Sequence, residues 1–107
     1  MKPFELYISY VSWGSEGKLR PVLVMSIKGG KAFVYSITSQ YASKSKAVQA
    51  QFYKIKLWSE AGLDRQSYVD TTIRFPIPLA KLKSKISIGS LSAVDKKRFL
   101  DFLKAKK

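Results

Sequence analysis

Apolar and β-branched residues recur in short stretches separated by polar turns, a pattern typical of a mainly β protein. Residues 5–13 and 20–27 are predicted to be the first two strands, and the polar residues 14–19 between them are predicted to be a loop. The Gly29-Gly30 pair predicts a tight hairpin turn, because paired glycines supply the positive φ angles of such turns. A third strand is predicted at residues 32–38, so the first three strands form an antiparallel meander.

The second half of the chain continues the β pattern. Residues 52–57 alternate well enough for a fourth strand, and residues 67–75 are β-branched and aromatic, as expected of a fifth. Pro76 and Pro78 are expected to end the fifth strand, because proline cannot donate a hydrogen bond to a neighbouring strand. The polar residues 39–49 are predicted to be a mobile connection between the third and fourth strands.

The chain ends in a predicted helix. Ser92, followed three residues later by Asp95, matches the capping-box pattern of a helix start. Phe99, Phe102 and Leu103 fall on one helical face and are expected to pack against the core. The chain has 107 residues and no internal repeat or linker, so it is predicted to be a single domain over its whole length. The expected architecture is a small, strongly curved antiparallel sheet or partial barrel with a C-terminal helix.

The charge balance is strongly basic. Twenty Lys and Arg residues stand against seven Asp and Glu, which gives a formal net charge of +13. Such an excess on a small chain predicts a polyanionic partner, whether a nucleic acid, an acidic protein or an anionic membrane. The longest apolar run is far too short to span a bilayer, and the N-terminus does not resemble a secretory signal. We therefore expect a cytoplasmic protein that does not insert into membranes.

The chain contains neither histidine nor cysteine. Disulfides, thiol catalysis and metal centres built from these residues are thus excluded, and so is the side chain that most often moves protons at neutral pH. The seven carboxylates show no spacing typical of metal ligands, so we expect no metal and no cofactor. Any catalysis would use Arg, Lys, Thr, Ser, Tyr or a carboxylate.

Arg20 stands where the predicted loop meets the second strand. Pro21 biases Arg20 toward an extended backbone, and the apolar run at 22–25 predicts a buried strand directly after it. A guanidinium is therefore expected at the mouth of a rigid element, where catalytic groups are often held. The alternative is an ordinary solvated arginine at a strand start, and this stretch alone favours that alternative.

Several short motifs follow one another along the chain. They are Gly14-Ser15-Glu16 with Arg20-Pro21-Val22-Leu23-Val24, then Val34-Tyr35-Ser36-Ile37-Thr38-Ser39, Ala61-Gly62-Leu63, Ser67-Tyr68-Val69-Asp70 and Ile88-Gly89-Ser90-Leu91-Ser92. In this order the set resembles the MazF/PemK/Kid toxins of type II toxin–antitoxin systems. The chain departs from that family at its first strand, which begins Phe4-Glu5-Leu6-Tyr7 instead of Gly-Asp-Ile-Trp, and at Thr71, where glutamine is usual.

The resemblance implies the SH3-like barrel shared with CcdB, a homodimer with grooves at its interface, and neutralisation by an acidic cognate antitoxin. It also implies a metal-independent endoribonuclease that cuts single-stranded RNA at short motifs through the 2′-hydroxyl, leaving a cyclic phosphate. Arg20 would stabilise the charge on the phosphorane, because a guanidinium binds two phosphate oxygens. Thr38 would donate a hydrogen bond to a phosphate oxygen, although without the resemblance it would be read as an ordinary β-branched residue at the end of a strand. Glu16 and Asp70 are the candidate bases, although either carboxylate could instead form a salt bridge or a loop hydrogen bond.

Polar and basic side chains near these positions are expected to bind the RNA. Tyr41, Phe52 or Trp13 could stack a base, or each ring could equally pack in the core. The expected RNA-binding residues are Ser15, Lys18, Ser39, Lys44, Lys46, Lys54 and Lys56.

Two other functions remain open on the same fold. One is a non-catalytic gyrase poison like CcdB, although that group depends on a Trp-Gly-Ile type of C-terminus and this chain ends in Lys-Ala-Lys-Lys. The other is an SH3-like module that binds nucleic acid without cutting it.

Overall fold

The computed structural model describes residues 1–13, 15–82 and 86–106. Within these residues one curled sheet holds six strands in the order β4-β5-β3-β2-β1-β6, every neighbouring pair antiparallel. A helix lies at the C-terminal end. The strands are β1 (Glu5–Trp13), β2 (Glu16–Lys28), β3 (Lys31–Thr38), β4 (Phe52–Lys54), β5 (Tyr68–Pro78) and β6 (Gly89–Ser90), and the helices are α1 (Lys46–Gln49) and α2 (Ala93–Ala105).

The predicted fold class is confirmed: the protein is mainly β with a C-terminal helix. The predicted hairpin turn is also confirmed, since Gly29 and Gly30 connect β2 to β3 with φ angles of 59° and 75°. Neither helix within the described residues is long and apolar enough to cross a membrane.

The sheet buries apolar side chains on both of its faces. Leu23, Ile37 and Phe99 belong to a core cluster that joins one face to α2. On the other face, Val22 and Val34 belong to a second, smaller cluster. Central strands that are covered on both sides are expected to be apolar without interruption, which explains the run at 22–25.

The predicted loop at 14–19 is wrong over most of its length. Gly14 lies outside the described residues, but β2 already begins at Glu16. Lys18 pairs with Val11, and Leu19 pairs with Tyr10, as the hairpin of β1 and β2 extends beyond the core. Residues 16–19 are mostly exposed because few other residues pack over this end of the hairpin. Their polar sequence is therefore typical of a loop, although they form a strand.

The fourth and fifth strands also differ from their predictions. β4 covers only Phe52–Lys54, and β5 continues through both prolines to Pro78. Among the described residues β4 pairs with β5 only at residues 68–70, so beyond Asp70 one edge of β5 carries no partner strand. Prolines are tolerated on such an edge, because their missing N–H faces away from the ladder.

The start of α2 carries a buried carboxylate. The Ser92 hydroxyl accepts from the backbone N–H of Asp95 at 3.1 Å, so the predicted N-cap is confirmed. The Asp95 carboxylate, however, accepts from the Tyr53 hydroxyl and from the backbone N–H groups of Lys56 (2.9 Å) and Leu57 (2.8 Å). Burial raises the pKa of Asp95, but these hydrogen bonds outweigh burial and hold the pKa below its usual value. The carboxylate therefore ties α2 to the turn after β4.

Two of the sequence motifs contact each other. A Cβ at Gly62 would collide with the carbonyl of Ile88, and a Cβ at Gly89 would collide with the carbonyl of Ala61. Gly62 also has a φ angle of 91°, which side chains rarely tolerate. These glycines are required for the close approach of the 61–63 turn to β6.

Candidate functional site

A cleft of about 1410 Å³ opens on the face of the sheet that carries the smaller core cluster. Ile77 and Leu82 of that cluster form part of its wall. Arg20 from β2, Thr38 from β3 and Asp70 from β5 line the same cleft. Three strands thus bring together three of the four residues that the sequence identified as candidates for catalysis.

The strand register explains why these side chains share one face. β2 and β3 pair Val22 with Ser36 at the end of their ladder, and Arg20 and Thr38 each lie two residues beyond that pair. Ser36 pairs in turn with Asp70 on β5. Residues two apart on a strand point to the same face. Arg20, Thr38 and Asp70 therefore lie on the sheet face that buries Val22, at the point where that face leaves the core.

The Thr38 hydroxyl accepts one hydrogen bond within the protein and keeps its own proton available. The side chain is 8% exposed, and its oxygen accepts a hydrogen bond from the backbone N–H of Gln40 at 3.0 Å. No described residue accepts the hydroxyl proton, so Thr38 can donate it to a ligand in the cleft.

Arg20 is half-buried between the cleft and a second hollow of about 200 Å³. It pairs across the β1–β2 ladder with Ser9. Thr38 borders the same two spaces. An anion in either space would therefore meet the Arg20 and Thr38 side chains together.

Asp70 anchors a large bulge in β5. Between the pairs Val34–Phe75 and Ser36–Asp70, β3 contributes one residue while β5 contributes residues 71–74. Asp70 Oδ1 accepts from the backbone N–H of Thr72 at 2.9 Å and from the Thr72 hydroxyl. No hydrogen bond from a described residue reaches Oδ2. The predicted alternative of a loop hydrogen bond is thus present, and it leaves one carboxylate oxygen available.

The bulge projects an apolar side chain at the cleft. Ile73 is 67% exposed and lines the cleft beside Thr72. Single exposed apolar side chains are common on protein surfaces, so it is the position of Ile73 in the cleft, and not its exposure, that makes the bulge a candidate contact for whatever binds here.

Glu16 is not brought to this group. It is exposed at the first position of β2 and borders neither the cleft nor the smaller hollow. Arg20 is four residue steps further along β2, roughly 13 Å along the strand. The sequence predicts that Glu16 lies near Arg20, because a loop between them could fold back. Both residues instead belong to β2, and an extended strand keeps them apart.

The predicted RNA-binding residues fall into two groups. Lys44 lines the cleft, and Lys18 and Ser39 line the smaller hollow. The others are exposed but border neither space: Ser15, Lys46, Lys54 and Lys56. Among the described residues around the cleft, Arg20, Lys44 and Lys81 are basic and Asp70 alone is acidic, so the cleft favours an anion.

Ser9, Ser36 and Thr72 also line the cleft and are not among the site residues predicted from the sequence. Ser9 is only 1% exposed. A signal was available, because Ser9 follows Tyr7 at the two-residue spacing of one strand face, where an apolar residue is expected. A polar residue at an inward strand position is a reason to suspect a site. Across the described residues, no group of three or more carboxylates could hold a metal ion.

No protein-family model matches the chain, and no curated protein matches it significantly. Among solved structures, it is similar to the Mycobacterium tuberculosis toxin MazF-mt6 with a TM-score of 0.70 and 20% sequence identity. The likeness covers 94% of this chain and 93% of that one. A structural similarity that covers nearly the whole chain establishes the fold, although the sequence identity is too low to establish more. The chain therefore has the fold of a MazF toxin.

Proposed function

We propose that this protein is the toxin of a type II toxin–antitoxin pair and acts as a metal-independent, sequence-specific endoribonuclease on single-stranded RNA. The observation that carries the proposal is the position of Arg20 and Thr38, which stand on adjacent strands and line one basic cleft. The MazF-like fold supports it. Cleavage of messenger RNA in the cytoplasm would stop translation and growth.

The reaction uses the nucleophile that RNA already carries. The 2′-oxygen attacks the adjacent phosphorus, the bond to the 5′-oxygen breaks, and a 2′,3′-cyclic phosphate forms. Arg20 binds two phosphate oxygens and stabilises the charge that builds on them, and the Thr38 hydroxyl donates a third hydrogen bond. Both groups act on the transition state more than on the bound substrate, which is what accelerates a reaction.

Asp70 is the better candidate for the base. It lines the cleft with Arg20, its Oδ1 is fixed by Thr72, and its Oδ2 has no described donor, whereas Glu16 is remote. In this assignment the 2′-hydroxyl proton passes to Oδ2. Water in the open cleft protonates the leaving 5′-oxygen.

Inhibition follows from the same charge and geometry. An acidic antitoxin segment, disordered when free, would fold across the cleft and cover Arg20. A homodimer would present two such clefts. A complex that left the Arg20 cleft open and cleavage unaffected would contradict this account of inhibition.

The direct test incubates the pure protein with a long RNA in EDTA. Sequence-selective fragments that end in a cyclic phosphate support the proposal. Intact RNA contradicts it. In that case inhibited DNA supercoiling would indicate a gyrase poison, and RNA binding alone would indicate a binding module.

A further inference from the structure

Three aromatic rings form a group of their own beside the cleft. Tyr41 and Tyr68 are stacked, with ring centroids 4.4 Å apart and planes inclined by 16°. Phe52 packs obliquely on both, at 6.3 Å from Tyr41 and 6.5 Å from Tyr68. Neither of the two core clusters includes any of these rings. Phe52 is buried, with 6% of its surface exposed, whereas Tyr41 and Tyr68 are half-exposed, so the group extends from the protein interior to the surface.

We propose that Tyr41 provides a stacking surface for a base of single-stranded RNA, next to the phosphate bound by Arg20 and Thr38. The inference rests on the proposed function and adds to it a second contact with the substrate. Aromatic side chains bind unpaired bases in this way whatever the base, because every base has a π-face.

The strand register sets the distance between the two contacts. Tyr68 pairs directly with Thr38 on β3, so the stack begins one strand away from the Thr38 hydroxyl and on the same face. Phe52 pairs with Asp70 and lines the cleft together with Thr38. A nucleotide chain whose phosphate lies at Thr38 can therefore continue over these rings.

The ring of Tyr41 is held in place through its backbone. Its carbonyl accepts from the backbone N–H of Lys44 at 3.0 Å and from the side-chain amide of Gln49 at 2.9 Å. A surface fixed before binding loses little conformational entropy when a ligand arrives. The phenol oxygens of Tyr41 and Tyr68 bond to no described residue, and both side chains are half-exposed. The hydroxyl groups of these two tyrosines therefore make no hydrogen bond that the described structure requires.

The charges around the group suit a nucleic-acid strand. Lys54 pairs with Tyr68 on β4 and is exposed, and Lys44 is exposed where the connection to α1 meets the cleft. Rings flanked by lysines combine base stacking with attraction to phosphates, the usual design of single-strand binding surfaces.

Two heptamer probes separate the base contact from the phosphate contacts. One is a fluorescein-labelled pool of random sequence with 2′-O-methyl riboses, which cannot be cut through the 2′-oxygen. The other is a heptamer of the same charge in which every base is missing. Both are titrated with the full chain by fluorescence anisotropy, with circular dichroism on each variant.

Tyr41→Leu keeps an apolar side chain and removes the ring, so its affinity for the base-bearing pool should fall roughly 5- to 100-fold while its affinity for the abasic heptamer is unchanged. Tyr41→Phe keeps the ring and should bind like the unaltered protein. Phe33→Leu is the matched control, since Phe33 is a half-buried ring on the opposite face of β3.

The outcomes distinguish this inference from the function on which it rests. Equal affinity of the unaltered protein for both probes, or a Tyr41→Leu loss that is absent or equal for both, overturns the stacking surface even if RNA is cut. A base-dependent loss in a protein that cuts no RNA supports the stacking surface and overturns the nuclease. Failure to bind either probe overturns the stacking surface, and cleavage of long RNA in EDTA then tests the nuclease separately.

Discussion

At the scale of single residues, the site depends on register more than on motif. The sequence identifies Arg20 and Thr38 as candidates because each belongs to a recognisable motif, and both line the cleft. It could not separate Asp70 from Glu16, since that choice depends on which strand each joins. The sequence pattern predicts that Glu16 lies in a loop near Arg20, but Glu16 pairs with Trp13 at the turn end of the β1–β2 hairpin. Closeness along the sequence therefore gives the wrong carboxylate as the neighbour of Arg20. The pairing of the strands determines that Asp70, and not Glu16, lies in the cleft with Arg20.

Thr38→Val tests the role of the hydroxyl at this scale. Valine keeps the β-branched shape, so the variant should fold normally. Gln40 is exposed, and water can replace the lost acceptor of its N–H. Single-turnover cleavage of a defined oligonucleotide should lose most of its rate, while Thr38→Ser, which retains a hydroxyl, should keep a large part of it. Cleavage by the valine variant at the original rate would make Thr38 a strand residue only.

At the scale of elements, boundaries were predicted less well than the elements themselves. The strands around the Gly29-Gly30 turn and the final helix follow from local pattern alone. The continuation of β5 through Pro76 does not, because it depends on which edge of the strand lacks a partner. The bulge at 71–74 likewise arises from the register that β3 imposes. Both features border the cleft, so the local sequence was least informative where the site is built.

The carboxylate of Asp95 should make the attachment of α2 sensitive to acid. Its pKa is lowered in the folded protein, so its stabilising effect is complete above its unfolded pKa of about 4 and is lost as the pH falls through the folded value. Asp95→Asn should lower the free energy of unfolding by about 2–4 kcal/mol at neutral pH. The reason is that the buried Tyr53 hydroxyl and two backbone N–H groups would then donate to a neutral amide instead of a charged carboxylate.

Urea unfolding between pH 2 and pH 7 measures this effect. The Asp95→Asn variant should lose less of its stability on acidification than the unaltered protein does. Asp101→Asn is the matched control, since Asp101 is exposed on the same helix. An unchanged pH profile in Asp95→Asn would contradict the role given to the carboxylate.

At the scale of the whole molecule, the excess of positive charge is the dominant property. A net charge of +13 predicts RNA binding that weakens steeply with salt, because each neutralised phosphate releases counterions. With roughly four to six phosphate contacts, the logarithm of the binding constant should fall with that of the salt concentration with a slope of about −3 to −4. Anisotropy titrations over a series of salt concentrations give this slope. A value near zero would mean that the charge serves another purpose.

The central claim is that Arg20 stabilises the transition state of RNA cleavage. Single-turnover cleavage by Arg20→Ala, with Lys97→Ala on the exposed face of α2 as the charge-matched control, tests it most directly. Removing one preorganised donor should slow cleavage by roughly 10²–10³-fold. Lys97→Ala should cut at nearly the original rate, and Arg20→Lys, which keeps the charge but loses the two-pronged contact, should still bind RNA while cutting more slowly. Full activity in a folded Arg20→Ala protein would contradict the account.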